Sequence, residues 1–143
     1  MYNTDKMKSN LLTTTQAKIV DYWLEKAGFN VASDSSTWGN YSNVDKEING
    51  LASSDFGKNY KETSGKFGGN IINATGTIEK NKSNNIYDWA GNLWEYTDTP
   101  YEQTEYYISH GGYYGTSGNI SPASFTNSFT GEASSKVGFR ICL

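Results

Sequence analysis

A chain of 143 residues is one domain by length and can bury a core; its formal net charge of −3, with no basic stripe, excludes a reader of nucleic-acid backbones or of anionic membrane surfaces. The hydrophobic fraction is a modest 36% while aromatics reach 15%, so the core and any binding surface must both be largely aromatic. No stretch approaches the ~18 apolar residues of a membrane-crossing helix, and the single cysteine, Cys142, rules out an intrachain disulfide.

The ten opening residues are polar and read as loose or as part of a turn, with no signal peptide among them. A helix follows. Thr13 is its N-cap and Gln16 the capping-box partner; Ile19, Val20, Trp23, Leu24 and Ala27 recur at helical spacing, and Gly28 ends it. On this pattern the Trp23 stripe is core, and Asp21, Glu25 and Lys26 face solvent. Phe29-Asn30-Val31 reads as a short strand. Residues 33–69 are rich in Ser, Asn, Gly and Asp and show no sustained period, so Trp38, Tyr41, Phe56, Tyr60 and Phe67 are the anchors that must pin them. Within this run Trp38-Gly39-Asn40-Tyr41 sets aromatics around a Gly-Asn turn, a faint echo of Gly91-Asn92-Leu93-Trp94 further on.

Residues 70–76 read as a short strand and turn, and residues 79–84 as a polar loop. Residues 85–96, Asn-Ile-Tyr-Asp-Trp-Ala-Gly-Asn-Leu-Trp-Glu-Tyr, are the densest part of the chain. Gly91-Asn92 is a turn signal between two aromatic halves, giving strand, turn, strand with aromatic faces inward. Asp88 and Glu95 are costly to bury without partners. Either they accept backbone N–H bonds and cap the turn, or with backbone carbonyls they supply the hard oxygens a calcium ion needs. Residues 105–110 are strand-like and run into Gly111-Gly112; residues 113–135 are written mostly in Tyr, Gly, Ser, Thr, Asn and Phe. Residues 136–143 form a closing strand in which Arg140 is partly buried against a carboxylate or carbonyls. Cys142 reads as a small buried hydrophobe, and His110 as a surface or hydrogen-bonded strand histidine.

The motif at 85–96, His-Gly-Gly-Tyr-Tyr at 110–114 and Val-Gly-Phe-Arg at 137–140 are an ordered triple. It resembles the second half of the formylglycine-generating enzyme, or sulfatase-modifying factor, family, and Leu12-Thr13-Thr14-Thr15-Gln16 looks like the start of that family's helix. The resemblance implies a C-type-lectin-like fold: an irregular α+β domain with small antiparallel sheets, one main helix packed on them and long loops. It also implies a structural Ca2+ held by the side chains of Asp88 and Glu95 and the backbone carbonyls of Ala90, Gly91 and Leu93. Family domains carry a strand and helix before the segment that matches here. The expectation is therefore a fragment, or an edge beside residues 137–141 covered by residues 1–10, by a partner chain or by a second copy in a homo-oligomer.

The departures from the family decide the expected activity. Its oxidase chemistry resembles copper-thiolate chemistry at paired cysteines, and residues 113–135 contain none. The iron-dependent branch needs several histidines; this chain has only His110, which stands where the motif usually has arginine. No catalytic residue is assigned. The composition of residues 113–135 is that of paratopes, rigid Tyr beside adaptable Ser, Gly and Asn. It resembles the variable region of retroelement-diversified C-type-lectin-like proteins of phages and bacteria. The expected function is a non-enzymatic ligand-binding module, from a phage, prophage or bacterial surface-recognition protein, whose partner is a host surface molecule, protein or glycan. Tyr113, Tyr114, Asn119, Phe125, Asn127 and Phe129 are the residues expected to be displayed or to support display, with core the alternative for Phe125 and Phe129. A degenerate formylglycine-generating-type oxidase and a structural tail or baseplate component are the alternatives, and location on a virion or cell surface is left open.

Overall fold

The computed structural model describes residues 3–4, 7–55, 57–100, 102, 107–129 and 134–142; Phe56, Glu105, Tyr106 and Leu143 lie outside the described residues. Along the chain come β1 (Asn3–Thr4), β2 (Met7–Lys8), β3 (Asn10–Leu11), α1 (Thr14–Lys26), β4 (Lys46–Ser53), β5 (Lys61–Phe67) and β6 (Ile72–Asn73). A 3-10 turn at Glu79–Asn81 leads into β7 (Lys82–Ser83), β8 (Ile86–Tyr87), β9 (Trp94–Pro100), β10 (Tyr107–His110), β11 (Phe125–Phe129), β12 (Val137–Phe139) and β13 (Ile141–Cys142). One sheet has the order β11-β10-β9-β12, with β12 parallel to β9 and the rest antiparallel; a second has the order β5-β4-β6. One helix over small, mostly antiparallel sheets is the expected α+β architecture.

The helix starts as its sequence dictates. Thr13 accepts from the Gln16 N–H, Gln16 reaches back to the Thr13 N–H, and Gly28 follows the C-cap at φ +94. Its buried face is not the expected one. Ala17, Asp21 and Leu24 are the buried residues, while Trp23 is 46% exposed and Ile19 more so. The seam runs through Asp21 because the carboxylate has partners inside, and this turns the Trp23 stripe outward. Phe29 and Val31 form no strand; Phe29 stacks edge-on against Trp38 at 5.3 Å, and the Asn30 carboxamide caps the turn at Ser33 and Asp34.

The long irregular run contains a hairpin that its composition hides. β4 alternates buried and exposed residues, and β5 pairs with it from Lys46↔Phe67 to Ala52↔Lys61. The inward face of β4 carries Lys46 and Gly50 among its apolar residues, so a two-residue period cannot be read from hydrophobicity. Two cores result. Leu12, Ala17, Leu24, Val31, Trp38, Tyr41, Val44, Trp89 and Ala90 pack under the helix; Ile48, Ala52, Ile71 and Ile78 pack under the hairpin. At the start, β1 pairs with β2 and β3 pairs with β13, so residues 10–11 cover part of the closing strand.

Candidate functional site

Residues 85–96 give Trp89 and Ala90 to the helix-side core. Asp88, Gly91 and Asn92 all have positive φ, which turns the chain tightly enough for other segments to clasp it. Gly91 N–H donates to Gly111 O, Asn92 N–H to Asn40 O, Asn40 N–H to Ala90 O and Tyr114 N–H to Asn92 O, at 2.9–3.0 Å. A side chain at Gly91 would collide with the Asn40 carbonyl, so this position requires glycine. The two Gly-Asn turns that echo one another in sequence are in contact: Asn40 Nδ2 donates to Asn92 Oδ1 at 2.9 Å.

That bond belongs to a buried polar network that sequence reading missed. Lys46, almost fully buried, donates through Nζ to Asn40 Oδ1 and Tyr41 O at 2.7 Å and to Gly69 O at 3.0 Å. Asn40 Nδ2 also reaches Ile71 O and Asn73 Oδ1; Asn92 Nδ2 donates to Asn73 O; and Asn73 and Asn81 amides reach Asp88 Oδ1. Burial pushes Lys46 down to about 8, with Asp45 opposing the shift and Lys80 adding to it. Burial raises the Asp88 carboxyl, opposed by the Asn81 and Asn73 amides, the Gly76 amide and the Arg140 charge. The only signal in the sequence is the number of asparagines near glycines, and that signal equally reads as turns.

Asp88 Oδ2 meets no donor at hydrogen-bonding geometry, although the Gly76 N–H lies near enough to the carboxyl to oppose its upward shift. It lines a cavity of about 70 Å³ together with Asn92, Leu93, Glu95 and Arg140. Arg140 lays its guanidinium on Glu95, with Nε 2.9 Å from Oε2, and Nη2 donates to Tyr87 O at 3.0 Å. This is the partly buried arginine pairing that the closing strand implied. A buried carboxylate oxygen without a donor, with the Glu95 carboxylate and the Asn92 carboxamide in the same lining, offers hard oxygens to a cation, against the opposing charge of the Arg140 guanidinium. Ala90 O, although taken by Asn40 N–H, keeps a second lone pair. Such an ion would share Glu95 with the guanidinium fork.

The aromatic half of the motif faces the helix. Trp89 is buried, and its Nε1–H donates to Asp21 Oδ1 at 2.8 Å. His110 Nε2 lies 3.1 Å from Asp21 Oδ2, its ring 4.8 Å from Trp89 and 5.1 Å from Phe125. His110 is 0% exposed and its Nδ1 is without a partner, so the network assigns the hydrogen to Nε2, donated to Asp21. Asp21, expected to face solvent, is therefore the inner anchor of Trp89 and His110. Its sequence signal was slight: an acid in register with Ala17 and Leu24.

The loop after Gly112 is tied down through its backbone. Ser35 N–H donates to Gly118 O, Ser42 N–H and Oγ to Thr116 O, Gly118 N–H to the Asn43 carboxamide, Ser35 Oγ to Ile120 O and Ser121 Oγ to Val31 O. Among the residues expected there, Asn119 is exposed and Tyr113 half-buried, with the Lys136 ammonium 5.5 Å over its ring. Tyr114 is only 2% exposed, and its phenol is pushed up by burial; it supports the loop from beneath. Phe125 is half-buried and packs on the helix-side core, the alternative allowed for it. Asn127 and Phe129 lie in β11, their side chains outside the described part, as is that of Cys142.

No helix of the described residues is long and apolar enough to cross a membrane. A family model described as sulfatase-modifying factor enzyme 1-like domain matches residues 23–143. No curated protein and no solved structure gives a significant match.

Proposed function

The chain belongs to the sulfatase-modifying factor enzyme 1-like domain family and has its C-type-lectin-like α+β fold; from that premise we propose that it is a non-enzymatic ligand-binding module. One observation carries the reading: the backbone of residues 116–120 is bonded to residues 35–43, while Tyr113, Ser117 and Asn119 remain at least partly at the surface. A surface ordered before contact loses little conformational entropy on binding, and Tyr with Ser, Gly and Asn offers area and adaptable hydrogen bonds. The partner is a host surface molecule, protein or glycan, met by a phage, prophage or bacterial surface protein. The single histidine is spent on Asp21 in the interior, and the single cysteine supplies no second thiolate for copper. A structural Ca2+ beside Asp88, Glu95 and the carbonyls of Ala90, Gly91 and Leu93 belongs to the same proposal, supported by the donorless Asp88 Oδ2.

Family membership favours the rival, a degenerate formylglycine-generating-type oxidase. Purified protein loaded with copper and offered a cysteine peptide separates the two. The expected result is no thiol oxidation, together with binding to cells from a bacterial panel that Tyr113→Ala and Asn119→Ala each weaken at little cost in Tm. Stoichiometric copper with peptide turnover overturns the proposal.

A further inference from the structure

A groove of about 550 Å³ opens between the outer face of the β4–β5 hairpin and the turn that follows β6. That volume is within the range of small-molecule sites, about 300–1,000 Å³. Glu47 and Asn49 form one wall, and Gly76, Thr77, Glu79 and Lys80 the other. Glu47 and Asn49 share the solvent face of β4, held by pairing with Lys66 and Ser64 of β5. The opposite wall is fastened to the same strand: Asn49 N–H donates to Thr77 O at 3.2 Å and Ala74 N–H to Leu51 O at 2.8 Å. Gly50 permits this closeness, since a Cβ there would sit 2.7 Å from Thr77 Cγ2. Glu79 is oriented by the Tyr87 hydroxyl at 2.8 Å and the Lys82 ammonium at 3.1 Å, which hold its carboxyl below the usual range. The groove therefore exists before any ligand arrives, with one carboxylate of its lining already held in place.

Its chemistry narrows the ligand. Glu79 is already paired with Lys82, so Glu47 and Lys80 leave the groove close to neutral, and a phosphate or carboxylate ligand meets no net attraction there. No aromatic ring lines it, so a flat apolar ligand finds nothing to stack on. Among the described residues no three His, Cys, Asp or Glu side chains gather to hold a metal. What remains is an acceptor-rich wall with the Lys80 and Asn49 donors interspersed, which suits a ligand bearing many hydroxyls. We infer that this groove binds a neutral saccharide, whose hydroxyls donate to Glu47 and Glu79 and accept from Lys80 and Asn49. This site is separate from the tyrosine-bearing loop and does not depend on the reading given to it.

The test is a titration of the 15N-labelled full chain with methyl glucoside, methyl galactoside and methyl N-acetylglucosaminide, with glycerol and methylammonium as controls. At least one glycoside is expected to give saturable shifts centred on the amides of residues 47, 49, 76, 77, 79 and 80. Glu47→Gln with Asn49→Ala should weaken that binding about tenfold, the loss of one charge-assisted hydrogen bond or more, without moving Tm, because both side chains are exposed. Tyr113→Ala should leave it unchanged. The inference is overturned if no glycoside gives saturable shifts there, if the shifts map elsewhere, if methylammonium matches the sugars, or if the double variant binds as well as the parent.

Discussion

The segment at residues 85–96 and the loop at residues 113–121 are both bonded to residues 35–43, yet they use their polar groups in opposite ways. In the first, side chains are turned inward: Asp88 and Asn92 join Lys46, Asn40, Asn73 and Asn81 in one buried network, and Trp89 is tied to Asp21. In the second, the backbone is turned inward onto residues 35–43, and side chains such as Asn119 stay outside. A buried side-chain network specifies a fold; a buried backbone under exposed side chains specifies a surface. Changes in the first region should therefore cost folding, and changes in the second should cost recognition.

The sharpest test of that division is Trp89→Ala. It empties a large site in the helix-side core and leaves the Asp21 carboxylate with one donor fewer, so unfolding in urea should show a loss of about 3–5 kcal/mol. Asn40→Leu comes next. It removes the common partner of Lys46 and Asn92 and should cost about 3 kcal/mol, because each orphaned buried group costs about 1–3 kcal/mol. A result near zero for either variant would mean that the network is peripheral to stability and that the contrast drawn above fails.

Calcium addresses the cavity beside Asp88. At a free concentration of about a hundred times Kd, an ion bound only to the folded chain adds about 2.7 kcal/mol, a readily measured rise in Tm that chelator reverses. Asp88→Asn should remove the rise. An unchanged melting temperature with calcium and with chelator would leave the Arg140 guanidinium as the cation serving Glu95 and end the metal proposal.

Lys46 makes the network sensitive to pH. Its folded value of about 8 lies below the ordinary 10.5, so between the two the unfolded chain holds more protons and stability rises with pH, by at most about 1.4 kcal/mol per pH unit. Tyr41, pushed up to about 12 by burial, acts oppositely above pH 10.0, where the unfolded phenol loses its proton first. Urea midpoints followed across this range should rise and then fall in the parent, and Lys46→Met should lack the rise. A parent profile that is flat or falls from the outset would show that the three oxygens around Nζ keep the ammonium charged despite its burial.

What could be read from the sequence was what is local. Thr13 and Gln16 form their capping box within one turn, Gly91-Asn92 turns where it should, and Arg140 finds the acid its burial demands. Asp21 was misread because its partners Trp89 and His110 lie far along the chain, and no helical pattern announces a buried carboxylate with distant donors. β4 was missed for a related reason: Lys46 points inward onto Asn40, Tyr41 and Gly69, contacts that the strand's own residues do not reveal. Asn40, Asn73, Asn81 and Asn92 read as turn formers, and only packing converts them into a core network.

The smallest stability effect, and the one most informative about function, is expected in the loop. Tyr113 is half-buried, stacked edge-on with Tyr114 at 5.4 Å and capped by Lys136; Asn119 meets Asn43 only at 3.5 Å. Neither side chain holds the loop in place, since that is done by Ser35, Ser42 and Asn43 bonding to the backbone of residues 116–120. Asn119→Ala should stay within about 0.5 kcal/mol of the parent, as surface substitutions do. Tyr113→Ala should cost only slightly more, and each should weaken cell binding. Asn43→Ala is the counterpart: by freeing the Gly118 N–H it should loosen the surface and weaken binding without touching a displayed residue. If Tyr113→Ala instead unfolds the chain, the loop is core, and the recognition surface must be sought elsewhere on the molecule.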